Sequence, residues 1–338
     1  MSPQRFLEHE NMSESFQNQI WFIPILQFIL AVAGNVFAIY RFVAYERTWH
    51  SGIIYTFNLT ISNLLYALSL VPLALYYKQP KTWTFGLPLC KLDRFLFFCN
   101  LYGSTFFVAC ISLNRYVAIV HPFFSHGYME PRHAKLLSGL VWLLVVAIST
   151  PVLKFSTLDY DRSTNTTVQL CVGSAVKEQL ANYWPYSLFL MGFGCGLPFI
   201  LTSVSCGAIL HTVLRNCNIT KVEKRKVKTL IGVVVTLYAI FYFPYHILRN
   251  LNLHYRMQST NKMNESESSR VVPVLYQLAK LLVQFHICIH PFVYAALADS
   301  IQETCHCQCR QGKDRQERDV ELKLHKDSSR TGTNATSA

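Results

Sequence analysis

The chain has 338 residues, of which 51% are hydrophobic, 14% aromatic and only 15% charged, with a formal net charge of +12. So few solvating groups against so much apolar surface exclude an ordinary soluble domain of this length and point to a lipid bilayer as the solvent. No Cys/His/Asp/Glu spacing suits a metal, and no Ser/His/Asp set falls in one compartment, which excludes the common enzyme classes.

In chain order, residues 1–19 contain no apolar stretch and are read as an extracellular segment without a cleaved signal peptide. Apolar windows then follow at 20–43, 52–77, 87–120, 133–154, 183–212, 224–250 and 271–298. Each is long enough to cross about 30 Å of hydrocarbon at about 1.5 Å per residue. Leu136 to Leu153 and Asn182 to Leu210 carry no charged residue. Since lipid tolerates no unpaired backbone, each window is read as a helix. The fold class is therefore all-α, a seven-transmembrane-helix bundle over residues 20–298. A short amphipathic eighth helix with a cysteine cluster is expected at 299–309, and a charged, Ser/Thr/Gly-rich disordered cytoplasmic tail at 310–338.

Orientation comes from the cations. Arg215, Lys221, Lys224, Arg225, Lys226 and Lys228 lie between spans five and six, and seven more cations follow from Arg310 onward, which marks that side as cytoplasmic. The opposite side also holds Lys78, Lys81, Lys91, Lys154, Arg162, Lys177, Arg249, Arg256, Lys262 and Arg270, so the bias is weak by itself. Sequons at Asn11, Asn165 and Asn264 fall in separate outer segments and support the same orientation as glycosylation candidates. Cys90 opens span three and Cys171 sits in the long second outer loop, on the oxidising side, which predicts a disulfide pinning loop to helix. Cys305, Cys307 and Cys309 are palmitoylation candidates.

Polar groups inside hydrocarbon are costly, and Asn35, Asn63, Asn100, Asn114, Arg115, His246, Gln284, His286 and His290 are the main ones. The neutral amides have a ready structural role as interhelical hydrogen-bond donors and acceptors. Arg115 cannot lose its charge and must lie at the cytoplasmic mouth. It stands 25 residues after Cys90, about 37 Å of helix.

Gly34-Asn35, Asn114-Arg115-Tyr116, Trp142, Pro198, Pro244 and His290-Pro291-Phe-Val-Tyr294 occur in the order of the rhodopsin-like, G-protein-coupled receptors, which the chain resembles over roughly residues 20–305. The resemblance implies that Arg115 engages a heterotrimeric G protein when span six swings outward at Pro244, with Asn114, Tyr116, His290, Pro291 and Tyr294 in the same activation machinery. Four positions depart from that pattern. Asn63 replaces the aspartate that helps bind sodium, Asn114 replaces an acid, His290 an Asn or Asp, and Cys206 a tyrosine. Sodium modulation is therefore not expected, and loss of the acid beside Arg115 predicts measurable basal signalling.

At the outer end, Arg94 lies one turn below Cys90, His246 and Arg249 share a face of span six, and Tyr276, Gln277 and Lys280 share a face of span seven. Lys280 stands about 16 Å above Pro291. Cations converging from three helices repel one another, and an anion resolves the repulsion, with Phe97, Tyr102 and Tyr276 as stacking surface. The alternative pairs each cation with Asp93, Glu178 or a loop acid.

Arg94-Phe-Leu-Phe97, Asn100-Leu-Tyr102, Pro244-Tyr-His246-Ile-Leu-Arg249 and Tyr276-Gln277-x-x-Lys280 resemble the metabotropic purinergic nucleotide receptors and their dicarboxylate-sensing relatives. Tyr40-Arg-Phe, Trp49-His50, Cys110 to Tyr116, His121 to Phe124, Gly194 to Pro198 and His290-Pro291 look nearest to an ATP-preferring branch. That resemblance implies phosphate contacts from Arg94, His246, Arg249 and Lys280, flanked by Gln277 and Tyr276, with Phe97 and Tyr102 lining the pocket. It also implies extracellular ATP as ligand, calcium release through Gq and cyclic AMP through Gs, and arrestin at the phosphorylated tail. No cofactor, metal or nucleic-acid polymer is expected, and the protein sits in the plasma membrane. A dicarboxylate receptor is the alternative within the class. A transporter would need related halves, which are absent, and a retinal photoreceptor would need a lysine where Gln284 stands.

Overall fold

The computed structural model describes residues 21–46, 48–78, 82–121, 130–161, 168–173, 175–216, 219–259 and 267–291. Among them are seven helices long and apolar enough to cross a membrane: α1 Phe22–Tyr45, α2 Ser51–Lys78, α3 Gly86–Val120, α4 Pro131–Phe155, α5 Leu180–Arg215, α6 Val227–Gln258 and α7 Val271–Pro291. The expected sequons at Asn11, Asn165 and Asn264, Tyr294 and the cysteines Cys305, Cys307 and Cys309 lie outside the described residues, as do the terminal segments.

The packing is that of a bundle in lipid. Leu143, Val204 and Leu68 are 70%, 67% and 63% exposed, whereas Gln27, Asn35, Asn63 and His286 are fully buried. Apolar side chains face outward because the solvent is apolar, and polar ones turn inward to find partners. Helix α3 is the central post, with 83% of its apolar window buried against 28% for α1. Its register places Leu101, Tyr102 and Phe107 wholly inside.

The inward amides form one chain of hydrogen bonds. Asn35 Nδ2 donates to the carbonyls of Ala31 (2.8 Å) and Ile287 (3.0 Å), tying α1 to α7. Asn63 Nδ2 donates to Asn35 Oδ1 (3.0 Å), while Asn100 Nδ2 donates to Asn63 Oδ1 (3.0 Å) and Ser62 Oγ (3.2 Å). Helices α1, α2, α3 and α7 are thus stitched at mid-depth by neutral groups. Asn58 lies within α2, where its side-chain oxygen accepts from Trp142 Nε1 of α4 at 2.9 Å.

Two prolines shape the helices on the other side of α3. Pro198 and Pro244 lack an amide hydrogen, and their rings push against the carbonyl four residues earlier. A wide turn precedes each: Leu190–Gly196 in α5 and Tyr238–Tyr242 in α6 are π-helical. The carbonyl released before Pro198, that of Gly194, is taken up by Thr105 Oγ1 of α3 at 2.7 Å. Gly194 is required there for a second reason, since a Cβ would collide with the Tyr102 ring.

Two features go beyond the apolar windows. Helix α6 continues to Gln258, well past the expected end at residue 250, into the polar run that holds Asn252, His254 and Arg256. Leu253 packs inward there with Phe155, Leu180 and Tyr183, and Arg256 Nη2 donates to the Ala175 carbonyl at 3.0 Å. The loop after α4 also contains an antiparallel hairpin, β1 Thr157–Asp161 with β2 Val168–Val172, in which Leu158 faces Cys171. Cys171 is bonded to Cys90 at the top of α3, as expected.

Candidate functional site

The disulfide fixes the site's roof. With Cys171 tied to α3, side chains of α3, α5 and α6 hold carbonyls at the end of β2 and just after it. Arg94 Nη2 donates to Cys171 O (3.3 Å), Tyr183 Oη to Gly173 O (3.3 Å) and Arg256 to Ala175 O. Gly173 passes so close to Arg94 that a Cβ would stand 2.5 Å from Arg94 Cδ.

Beneath this roof the expected residues divide between two adjoining corners. In the first, Arg249 of α6 is only 1% exposed and has no carboxylate partner among the described residues. Its Nη1 donates to Tyr102 Oη (3.4 Å) and its Nη2 to Tyr183 Oη (2.7 Å), and the guanidinium lies over the rings of Phe98 (4.6 Å) and Tyr183 (5.4 Å). Cation–π contact and phenolic acceptors are a weak substitute for a counter-anion. Below it, His246 lies between Tyr102 (5.9 Å between ring centres) and Tyr245 (5.2 Å). Arg249 Nε and both His246 ring nitrogens are buried without a hydrogen-bond partner among the described residues.

In the second corner, Arg94 of α3 is 7% exposed and pairs with its neighbour Asp93 at 3.6 Å. Lys280 of α7 is half-buried and within electrostatic reach of both. Tyr276, also half-buried, is within electrostatic reach of Arg249 and, less strongly, of Arg94. An aromatic floor joins them: Phe97 meets Tyr66 (5.6 Å) and Tyr245 (5.7 Å), and Tyr245 meets Tyr276 (6.0 Å). Gln277 is half-buried beside this face on α7.

Cations from α3, α6 and α7 thus gather at the disulfide end among tyrosines and phenylalanines. The pairing of one of them, Arg94, with Asp93 is a feature of the alternative arrangement considered from sequence, while Arg249 has no acid beside it among the described residues. Sequence reasoning did not select Tyr183 and Phe98, which hold Arg249. No signal marks them, because one tyrosine among 18 and one phenylalanine among 23 become special only through tertiary position.

At the other end, Asn114, Arg115 and Tyr116 are half-buried at the foot of α3, and Tyr116 Oη lies 3.0 Å from His121 Nε2. Between the ends, Tyr242, two residues before Pro244, contacts His286 (5.4 Å), whose Nε2 lies 3.3 Å from Ser104 Oγ. His286 in turn contacts His290 (5.1 Å), and Pro291 packs against Gly34. Among the described residues no group of three or more His, Cys, Asp or Glu is placed to hold a metal.

The sequence of the chain is similar to those of known proteins. The family described as "7 transmembrane receptor (rhodopsin family)" matches residues 34–294. The chain is 40% identical over 306 residues to purinoceptor 11 of Homo sapiens, covering 85% of this chain and 82% of the relative. It is 33% identical over 308 residues to purinoceptor 1 of Gallus gallus (90% and 84% covered) and 31% identical over 308 residues to that of Mus musculus (90% and 82%).

Proposed function

Because this chain belongs to the rhodopsin family of seven-transmembrane receptors and, within it, to the purinoceptors, we propose that it is a receptor for extracellular ATP acting through heterotrimeric G proteins. The observation that carries the proposal is the gathering of Arg94, Arg249 and Lys280 from three helices under the disulfide-pinned loop, with His246 and Arg249 holding nitrogens that lack a partner among the described residues. Buried cations lacking a counter-anion are costly, and a polyphosphate supplies several acceptor oxygens at once. Phe97, Tyr102 and Tyr276 give the apolar and stacking surface that a base needs and a small dicarboxylate does not. Gln277 adds an amide at the rim.

On this reading the disulfide end faces outside, and Arg115 at the cytoplasmic end meets the G protein. Ligand drawn against His246 and Arg249 pulls on α6 directly above Pro244. The π turn below that proline, and the Tyr242–His286–His290 contacts beside it, form the hinge region through which α6 moves relative to Arg115. Coupling to Gq, Gs or both follows from the same movement.

The test is a panel of ATP, ADP, UTP, UDP-sugars, succinate and oxoglutarate applied to cells expressing the chain, read as calcium and cyclic AMP. ATP is expected to act at the lowest concentration. A response to dicarboxylates alone overturns the nucleotide assignment.

A further inference from the structure

Asp93 is the one carboxylate placed within the cation cluster among the described residues, and the pocket as a phosphate site has no use for it. It is 3% exposed, on α3 in the second corner, with Arg94 beside it and Lys280 across from it. A buried ion pair kept only for stability needs close, saturated geometry to offset desolvation. Here the pair is 3.6 Å apart, Asp93 Oδ1 has no hydrogen-bond partner among the described residues, and Arg94 Nε also lacks one. Arg94 directs Nη2 to a loop carbonyl, that of Cys171. Ser69 of α2 is also within hydrogen-bonding reach of the Asp93 carboxylate, so what the contact leaves unsatisfied among the described residues is one oxygen of Asp93 and the Nε of Arg94. The contact nonetheless offsets part of the repulsion between Arg94 and Lys280.

Deepening the nucleotide reading and resting on it, we propose that Asp93 is a specificity residue of the pocket. It is a resident carboxylate that shares Arg94 and Lys280 with the ligand and so disfavours ligands in proportion to the negative charge they place in that corner. Coulomb repulsion scales with the product of the charges. Asp93 consequently weakens a triphosphate most, a diphosphate less and a monophosphate least, and it leaves the pocket with a smaller net positive charge than its three cations alone would give. It narrows the preference for highly charged nucleotides that those cations create.

The experiment compares wild type with Asp93→Asn and Asp93→Glu in whole cells at fixed magnesium, with receptor surface level measured in each. Half-maximal concentrations are taken for ATP and ADP, and AMP is scored by competition against ATP. Asp93→Asn is expected to lower the ATP value by about tenfold and the AMP value by about twofold or less, while Asp93→Glu keeps the wild-type spacing. Because Asp93→Asn leaves Arg94 without its acid and can fail to reach the surface, Arg94→Gln is compared with the double variant Asp93→Asn/Arg94→Gln. Removing the carboxylate is expected to recover part of the potency that Arg94→Gln loses. Equal shifts for all three nucleotides, or none, overturn the proposal, as does a double variant that responds no better than Arg94→Gln for whatever reason. If Arg249→Ala and Lys280→Ala leave ATP potency unchanged, the pocket itself is misassigned. If they weaken ATP while Asp93→Asn preserves the spacing, only the role of Asp93 fails.

Discussion

The proposed anion site rests on single side chains. Arg249 is buried against two phenolic hydroxyls and two aromatic faces, so its removal deletes the charge and leaves Tyr102 and Tyr183 without a donor. Arg249→Ala should weaken ATP by about 1–3 kcal/mol, roughly ten- to a hundredfold in half-maximal concentration, with surface level maintained. Lys280→Ala should lose a similar amount, and Lys280→Arg should retain potency or improve it, because a planar guanidinium grips phosphate at two points. His246→Phe keeps the ring between Tyr102 and Tyr245 but deletes both ring nitrogens. It should reduce ATP potency while thermal stability stays constant. These residues were legible in the sequence, since charged and imidazole groups at recurring depths inside apolar windows stand out by cost alone. Their division into two corners, one with an acid and one without, was not legible, because Asp93 and Glu178 are equally acidic as letters and only Asp93 is buried beside a cation.

At the scale of elements, two devices hold the helices in register. The first is the amide chain through Asn35, Asn63 and Asn100. Asn63→Leu should lower the stability of the purified receptor by about 1–3 kcal/mol, seen as faster thermal inactivation in detergent, since it strands an acceptor on Asn35 and a donor on Asn100. The second is the pairing of Thr105 with the carbonyl freed before Pro198. Thr105→Val should cost about 1 kcal/mol by the same measurement, whereas Gly194→Ala should cost more by driving a methyl group into Tyr102. Hydropathy located all seven spans to within a turn or so at most ends. It missed the extension of α6 beyond residue 250, because the residues there are polar and their helix is held by Leu253 and Arg256 packing against the neighbouring loop and α5. The β1–β2 hairpin was equally hidden. Its strands are five residues each and owe their place to the disulfide and the top of α3.

For the molecule as a whole, the central question is how binding at one end biases the other. Asn114 places a neutral amide beside Arg115 where an aspartate would add a negative charge. Asn114→Asp should lower basal cyclic AMP and calcium signalling and shift the ATP curve to higher concentration, without altering the effect of Arg249→Ala. If basal signalling of the wild type does not exceed vector controls, the neutral side chain of Asn114 does not raise it. Breaking Cys90–Cys171 by Cys171→Ser should release the roof that Arg94, Tyr183 and Arg256 hold, reducing both surface level and ATP potency.

The sequence by itself determined the solvent, the number of spans and the disulfide, and it made the buried cations conspicuous, because hydrocarbon penalises every polar group and so leaves each one visible against its surroundings. What only the tertiary structure decided is which partner each polar group found. That Arg94 rests on Asp93 while Arg249 rests on tyrosines depends on rotamers and helix rotations of a few ångströms. Nothing along the chain encodes such distances separately from the packing of all seven helices.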